Sequence, residues 1–259
     1  MDLDDLALAR MLADHADEIT MSRFQRSDLA VHAKPDRSLV TEADTAAEAE
    51  LRRLIAAHRP GDAVLGEEEG GETSAAGQRW ILDPLDHTGN FVRGVPVWAT
   101  LIALEQDGEI TVGVVSAPAM GRRWWAARGR GAHTASGDGA PRRITVSEID
   151  DLAEAHVTYA SLDRWERRGL VGAITGIVRT ARFDWGSGGF WGHMLVAEGR
   201  MDASLDPWGE VWDLAAPKVI VEEAGGRLTD LSGEARIDRD CAIVTNARLH
   251  AQILTRLAT

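Results

Sequence analysis

The sequence is short of cysteine and of membrane-length apolar runs, and each shortage excludes a class of protein. Its 259 residues contain one cysteine, Cys241. A lone thiol cannot form a disulfide within the chain, which excludes disulfide-stabilised secreted domains and favours a reducing, cytoplasmic location. We expect this thiol to be buried and inert, because an apolar run follows it. No apolar run approaches the ~20 residues that span a bilayer, so we expect no membrane insertion.

Positive charge is also scarce. The chain has 28 Lys and Arg against 41 Asp and Glu, a formal net charge of −13. Such a balance argues against nucleic acid as a partner, because phosphate backbones select basic surfaces. A small phosphorylated substrate would need a local concentration of positive charge, which bound cations would supply. The simpler interpretation is that most of these acids keep the protein soluble.

Apolar spacing and turn residues predict the main elements. The spacing predicts a helix over residues 3–26, and Thr41 with Asp44 forms the sequence of a capping box that opens a second helix ending near His58. We predict further helices near 163, over 190–198, from Asp213 and over 247–257. Predicted strands cover residues 63–65, 80–82, 97–104, 110–116, 122–127, 157–160 and 242–245.

The order of these elements predicts a layered α/β fold. Strands cluster in the middle of each half of the chain and helices flank them, unlike a regular βαβ series. A Gly- and Ser-rich stretch at residues 136–141 reads as a linker. We therefore predict an amino-terminal α+β half, 1–140, and a carboxy-terminal α/β half, 141–259, in one compact catalytic unit.

Acidic clusters at the ends of predicted elements are the strongest functional signal. Gly66-Glu67-Glu68 follows one strand, Asp83-Pro84-Leu85-Asp86 ends another, and Asp213 opens a helix. Carboxylates brought together from distant segments hold hard divalent cations, and Mg²⁺ prefers oxygen ligands. The clusters predict a metal-dependent enzyme acting on phosphate.

The segment from Asp83 to Asp86 has a specific physical interpretation. We expect the strand to stop at Asp83 and Pro84 to force a turn, which returns Asp86 toward Asp83. Two carboxylates so close repel each other unless a cation lies between them. The free amides of the following residues would bind an anion. The alternative is an ordinary strand end decorated with Asp. Likewise, Asp213 could be a simple first-turn acid and Asp44 only a capping-box member.

The same segments carry a family resemblance that covers nearly the whole chain. Gly-Glu-Glu at 66–68, Asp-Pro-Leu-Asp-x-Thr at 83–88, and Trp-Asp-Leu-Ala-Ala at 212–216 resemble the inositol monophosphatase superfamily. Lys34-Pro35-Asp36 and residues 40–44 look like its amino-terminal loop and helix. Residues 92–100 and 190–199 are similar to its histidinol-phosphatase branch.

The resemblance implies an αβαβα sandwich of the inositol monophosphatase and fructose-bisphosphatase type, a homodimer, and Mg²⁺ as cofactor in two or three ions. It implies Glu67, Asp83, Leu85 (through its carbonyl), Asp86 and Asp213 as metal ligands, and Glu67, Thr88 and Asp44 as catalytic residues. It also implies a phosphomonoesterase for a small phosphorylated alcohol, with histidinol phosphate favoured by the branch. The expected substrate-binding residues are His87, Thr88, Asp206, Ser187, Trp191 and Glu210.

Two departures from the family leave alternatives open. His87 stands where the family usually has Gly, and Gly89 where it commonly has Lys or Thr. His87 could point to solvent, contact the substrate or donate a proton to the leaving group, or distort the turn and weaken activity. The alternatives are therefore a specialised phosphatase for a sugar, cyclitol or nucleoside phosphate, and a catalytically silent member of the fold.

Overall fold

The computed structural model describes residues 3–35, 38–71 and 77–258, which form two compact units. The first unit takes in residues 1–128 and 134–142, and the second takes in 129–133 and 143–259. The chain thus passes from one unit to the other within residues 128–143. The division into 1–140 and 141–259 remains a prediction, and Asp36 and most of the small polar stretch 70–77 lie outside the described residues.

Two long helices of the first unit begin at side-chain caps. Helix α1 (Asp5–Met21) starts after Asp4, whose carboxylate accepts a hydrogen bond from the Ala7 amide at 2.7 Å. Helix α2 (Glu42–His58) starts after Thr41, and the predicted capping box with Asp44 is present. Caps of this kind satisfy amide groups that have no partner inside the helix. Helix α1 ends at Met21, whereas the apolar spacing predicted a helix that continues to residue 26.

Five strands of the first unit are neighbours in one sheet, in the order β3-β4-β5-β6-β7, and β1 pairs with β2 in a separate two-stranded sheet. Strand β3 is parallel to β4, and the other neighbours are antiparallel. The elements up to the unit boundary are β1 (Val31–Ala33), β2 (Leu39–Thr41), β3 (Ala63–Gly66), β4 (Gln78–Asp86), helix α3 (Thr88–Val92), β5 (Ala99–Gln106), β6 (Glu109–Ala117), β7 (Arg122–Ala127), β8 (Ala132–Ser136) and β9 (Arg142–Ile144).

Helices α1 and α2 pack together on one face of this sheet. The core between them is apolar and includes Leu8, Leu12, Leu51, Trp80 and Ile102, all with no more than 1% of their surface exposed. Burial of such side chains contributes roughly 1.5–3 kcal/mol each. A second small cluster of Ala43, Leu85, Phe91 and Trp98 fixes the segment that follows β4. The apolar faces therefore hold the ends of β3, β4 and α2 in place.

The second unit has helices on both faces of a mixed sheet in the order β11-β10-β12-β14-β13. Helices α5 and α8 contribute to a core on one face, and α6 packs with α7 and β12 on the other. Its elements are β10 (His156–Tyr159), α4 (Leu162–Arg167), α5 (Val171–Thr180), β11 (Phe183–Trp185), α6 (Phe190–Ala197), β12 (Ala203–Asp206), α7 (Val211–Glu223), β13 (Arg227–Thr229), β14 (Ala242–Thr245) and α8 (His250–Leu257).

The single cysteine lies directly before β14. Cys241 is a free thiol with 2% of its surface exposed, as predicted. Burial raises the pKa of this thiol above its usual range. The reactive thiolate form is therefore suppressed.

Among the residues that the structure describes, no helix is both long enough and apolar enough to cross a membrane.

His250 at the start of α8 links stability to pH. Its buried imidazole lies 3.0 Å from the Thr229 hydroxyl and 2.9 Å from the Thr245 hydroxyl. Burial, assisted by Arg227, lowers the pKa of His250 to about 4. The unfolded chain takes up this proton near pH 6.5, whereas the folded protein takes it up only near pH 4. The stability contribution is therefore complete above about pH 6.5 and is lost as the pH falls toward 4.

We expect the free energy of unfolding to fall by up to about 3 kcal/mol between pH 7 and pH 4 through His250 alone. Denaturant unfolding of the wild type and of His250→Gln at several pH values measures this effect. The variant should lose the His250 part of the pH dependence, whereas His58→Gln, at an exposed position, should retain it. Equal pH dependence in wild type and His250→Gln would contradict the assignment.

Candidate active site

The parallel pairing of β3 and β4 places Glu67 beside the acidic end of β4. Gly66 is in register with Leu82, and the Glu67 amide donates to the Leu82 carbonyl at 3.1 Å. Glu67 thus follows β3 directly, as predicted. The next residue of β4 is Asp83, so Glu67 and Asp83 lie at the same level of the two neighbouring chain segments.

Strand β4 does not end at Asp83, so the predicted strand end there is wrong. The strand continues to Asp86, and its pairing with β5 shifts between these two positions: Asp83 is opposite Leu101 and Asp86 is opposite Ala99. Three steps along β4 thus match two along β5, which is the signature of a bulge. Proline is tolerated in a sheet at such a position, because it has no N–H for the ladder.

The bulge brings two carboxylates together. In a regular strand, residues three apart point to opposite faces, and one extra residue restores them to the same side. Carboxylate oxygens of Asp83 and Asp86 lie within 4.8 Å of one another. Asp83 is 1% exposed, and one of its oxygens accepts a hydrogen bond from the Leu85 amide at 2.9 Å. The close pairing expected of these acids is therefore present, although a bulge produces it.

Thr88 connects this segment to helix α2. Its hydroxyl lies 3.1 Å from the Asp44 Oδ1 and 3.1 Å from the Leu85 carbonyl oxygen. The other oxygen of Asp44 accepts hydrogen bonds from the Thr41 amide at 2.9 Å and the Thr41 hydroxyl at 2.6 Å. Burial raises the pKa of Asp44, against the opposing effect of these donors. Asp44 is therefore both a capping residue and a partner of Thr88.

Lys34 neutralises part of the negative charge. Its ammonium lies 2.9 Å from a carboxylate oxygen of Glu67 and 2.8 Å from one of Glu68. Burial alone would lower the pKa of Lys34, but its hydrogen bonds to Glu68 and Glu67 raise it overall. This lysine is therefore fully charged at neutral pH.

One ammonium does not balance the acids around it. Burial is the main cause that raises the pKa of Glu67, and the charges of Asp86 and Asp44 raise it further. Burial likewise raises the pKa of Glu68 to about 7. The donors here are carboxylate and carbonyl oxygens, which suit a hard divalent cation such as Mg²⁺. The arrangement within the first unit therefore fits a cation site.

His87 adopts the left-handed backbone conformation that glycine adopts most easily. Its φ is 65° and its ψ is 45°, in the left-handed region, where histidine is enriched among residues other than glycine. Its carbonyl accepts the amides of Asn90 and Phe91, so helix α3 forms normally. The Asn90 side-chain nitrogen lies 3.4 Å from the His87 Nδ1. At Gly89 an added Cβ would meet no heavy atom within 4 Å.

In the second unit, Asp213 lies in the first turn of α7. Its carboxylate accepts a hydrogen bond from the Glu210 amide at 2.8 Å. This is one of the two hydrogen bonds of a capping box formed by Glu210 and Asp213. Helix α7 begins at Val211, two residues before the predicted start at Asp213, and Pro217 is its seventh residue. Pro217 has no N–H to donate to the carbonyl of Asp213, four residues earlier.

Asp206 is buried at the end of β12. Its Oδ2 lies 2.6 Å from the Nε2 of buried His193 and accepts a hydrogen bond from the Gly189 amide at 3.0 Å. A Cβ at Gly188 would lie 2.1 Å from the Asp206 Oδ1, so only glycine fits above the carboxylate. Asp206 therefore holds the segment 186–189 against the sheet.

Two other predicted substrate residues of the second unit, Ser187 and Trp191, lie in this segment or directly after it in the chain. The Ser187 amide donates to the Thr158 hydroxyl at 3.2 Å, and the same hydroxyl contacts the Ser187 carbonyl. Trp191 is half-buried in the first turn of α6. Thr158 and Asp206 thus anchor the two ends of the turn that carries Ser187.

The structure places most of the predicted residues in three groups, one in the first unit and two in the second. The first unit assembles Asp44, Glu67, Asp83, Leu85, Asp86 and Thr88, with His87 beside them. The second unit places Asp206 and Ser187 in one network and Glu210 with Asp213 in another. Lys34 contacts the predicted site residue Glu67, and His193 contacts the predicted site residue Asp206. Lys34 belongs to the Lys34-Pro35-Asp36 segment noted above, but no pattern in the neighbouring sequence predicts its ion pair with Glu67.

Comparison with known proteins gives the family. The model of the inositol monophosphatase family matches residues 2–259. A histidinol-phosphatase of Mycobacterium tuberculosis (strain H37Rv) is 52% identical over 99% of this chain and 99% of its own length. A histidinol-phosphatase of Streptomyces coelicolor is 45% identical over 97% of this chain and 96% of its own length.

Solved structures agree with this assignment. The Thermotoga maritima IMPase superposes with a TM-score of 0.86 at 30% identity, covering 99% of this chain and 97% of that chain. The SuhB protein of Bartonella henselae superposes with a TM-score of 0.85 at 28% identity, covering 96% of both chains. The predicted inositol monophosphatase-type fold is thereby confirmed. The chain belongs to the inositol monophosphatase family and is, by that membership, a phosphatase.

Proposed function

We propose that this protein is a Mg²⁺-dependent phosphomonoesterase that hydrolyses histidinol phosphate to histidinol and phosphate. The observation that carries the proposal is the pairing of Asp83 and Asp86 across the bulge, beside Glu67 and the Thr88–Asp44 hydrogen bond. Its similarity to two histidinol-phosphatases along nearly the whole chain supports the choice of substrate.

The proposed metal ligands are the carboxylates of Glu67, Asp83 and Asp86, the Leu85 carbonyl, and Asp213 from the second unit. Two or three ions would share these oxygens. Bound Mg²⁺ would offset the charge of the ester and make a water molecule easier to deprotonate. In the first unit the acids exceed the charge that Lys34 supplies, which supports this assignment.

The chain's own groups have distinct parts in the reaction. Thr88, held between Asp44 and the Leu85 carbonyl, would orient the attacking water, and Glu67 would accept its proton. The amides of His87 and Thr88 would bind the phosphate oxygens. Phosphoryl transfer requires mainly positioning and countercharge from a protein. These fixed groups would supply the positioning.

The alcohol end of the substrate would be recognised by the second unit. Histidinol phosphate carries an ammonium, and acidic residues suit it. We propose Glu210, Ser187 and Trp191 as contacts, with His87 of the first unit beside the phosphate. Asp206 is buried beneath Gly188, so we assign its charge to holding the segment 186–189 and attracting the ammonium at short range.

A homodimer and a cytoplasmic location are further parts of this proposal. The homodimer rests on the family resemblance, and the location on the single buried thiol. Light scattering of the purified protein measures its oligomeric state directly.

The function is tested by phosphate release from a panel of substrates. We expect histidinol phosphate to be hydrolysed faster than inositol phosphate, fructose bisphosphate, adenosine bisphosphate and nucleoside monophosphates. A chelator should abolish turnover, and added Mg²⁺ should restore it, because the carboxylates need the cation. Binding of a phosphate ester in a calorimeter without any metal-dependent turnover would instead identify a catalytically silent member of the fold.

The metal assignment predicts large losses in Asp83→Asn and Asp213→Asn. Each change removes one anionic ligand while preserving shape, so turnover should fall on the order of 100-fold or more with an unchanged melting temperature. The matched controls are Asp28→Asn and Asp163→Asn, at exposed ion pairs of the first and second unit. Both controls should retain wild-type rates. Near-normal turnover in Asp83→Asn and Asp213→Asn would refute the ligand set.

The role of Thr88 predicts a contrast between two substitutions. Thr88→Val keeps the shape but loses the hydroxyl, so turnover should fall by about 100-fold. Thr88→Ser keeps the hydroxyl between Asp44 and Leu85 and should stay within a few-fold of wild type. Steady-state rates at saturating Mg²⁺ make the comparison. Equal rates for the two variants would exclude a part for the hydroxyl.

A second candidate is a specialised phosphatase for a sugar, cyclitol or nucleoside phosphate, favoured by His87 and Gly89. If the chain has changed its substrate, restoring the usual residues in His87→Gly and Gly89→Lys should raise hydrolysis of histidinol phosphate and lower that of the preferred ester. An added Cβ at Gly89 meets no heavy atom within 4 Å, so the backbone there accepts a side chain without a clash at its first carbon. Histidinol phosphate turnover that is already high and falls in both variants would decide against this candidate.

A further inference from the structure

A buried glutamate beneath the Glu67 turn has no part in the site described so far. Glu48 lies on α2, one turn after Asp44, and none of its surface is exposed. Its Oε2 accepts the Glu68 amide at 2.8 Å, and its Oε1 accepts the Glu69 amide at 3.0 Å. A buried carboxylate that receives two consecutive backbone amides fixes the position of that backbone.

Arg52 completes this support. Its guanidinium lies 2.8 Å from the Glu48 Oε1 and also donates to the Gly70 carbonyl. Gly66 and Gly70 exchange backbone hydrogen bonds of 2.9 and 3.1 Å, which close the turn over residues 66–70. Helix α2 therefore holds this turn at its middle through Glu48 and at its last residue, Gly70, through Arg52.

The fit between the carboxylate and the turn is close. A Cβ at Gly66 would lie 2.2 Å from the Glu48 Oε1, a distance that no side chain tolerates. Glu48 therefore approaches the backbone immediately before Glu67. A buried ion pair adds little to stability compared with apolar residues of similar volume, so its main effect here is to specify one geometry.

We infer that Glu48 is a positioning residue that sets the Glu67 carboxylate for cation binding, acting through the backbone of residues 66–69. This inference rests on the proposed function, in which Glu67 is a metal ligand. Groups that orient ligands without touching the ion typically change metal affinity by about 10–100-fold. Glu48 shares helix α2 with Asp44, so one helix would support two sides of the site.

The test is Mn²⁺ binding to Glu48→Gln, measured by the electron paramagnetic resonance signal of the free ion. The amide group of the glutamine would turn a donor toward Arg52 or a backbone N–H, so the turn should shift. We expect the Kd for Mn²⁺ to rise about tenfold. Glu50→Gln changes a glutamate of the same helix that pairs with Arg53 instead of the turn, and this variant should bind as the wild type does. In a Glu67→Gln background the Glu48 change should have no further effect.

The possible outcomes separate this inference from the proposed function. Equal Kd values for wild type and Glu48→Gln would overturn the inference alone. A wild type that binds no divalent cation would overturn the proposed function and, with it, this inference. If Glu48→Gln does not fold, Arg52→Gln takes its place, since it keeps Glu48 but releases Gly70. A raised Kd in that variant supports the inference, and an unchanged Kd contradicts it.

Discussion

Repulsion between carboxylates is the constraint on which the site depends. Asp44, Glu67, Asp83 and Asp86 would separate if each were free to move, and the first unit counters this with fixed partners. Thr41 and Thr88 bind Asp44, the Leu85 amide binds Asp83, and Lys34 lies against Glu67. The compensation is partial, because burial and neighbouring charge still raise the pKa of Glu67 and Asp44. This remaining imbalance is what a divalent cation would relieve.

Irregular backbone performs the positioning, and regular elements hold it in place. The bulge at Pro84, the left-handed His87 and the close approach at Gly66 all occur within or beside the acidic cluster. The bulge and His87 depart from ideal geometry, and Leu85 and Phe91, which flank His87 in the chain, pack in one apolar cluster. At Gly66 the buried Glu48 carboxylate lies against the backbone. Departures of this kind gather at functional sites because the surrounding fold tolerates their strain. In the second unit, the backbone at Gly188 approaches the Asp206 carboxylate as closely as the backbone at Gly66 approaches Glu48.

Local signals predicted much of this structure. The capping box of Thr41 and Asp44, the three consecutive strands β5 to β7 and the start of α6 depend on neighbouring residues, and they were predicted from them. The strand end at Asp83 was wrong because a bulge depends on the partner strand, which the sequence of β4 does not reveal. The short strands β1, β11 and β13 gave no periodic signal over their three residues.

The residues of the candidate site also divide into those with a local sequence signal and those that depend on distant contacts. Glu67, Asp83, Asp86 and Thr88 lie in short motifs and were found from them. Lys34 and Glu48 act through hydrogen bonds to residues 33 and 20 positions away, and a contact of that range leaves no local pattern. The i, i+4 spacing of Glu48 and Arg52 was the available signal, but it is also that of an ordinary exposed pair on a helix.

The buried Cys241 makes this chain suitable for selective chemical labelling. Its own thiol is shielded, and the raised pKa keeps it protonated at neutral pH. A single cysteine introduced at an exposed position would therefore be the one that reacts with a maleimide or a spin label. Gly89 is such a position, open around its Cβ and one residue from Thr88. A fluorophore or nitroxide attached there would report on the binding of a cation or a phosphate ester at the neighbouring acidic cluster.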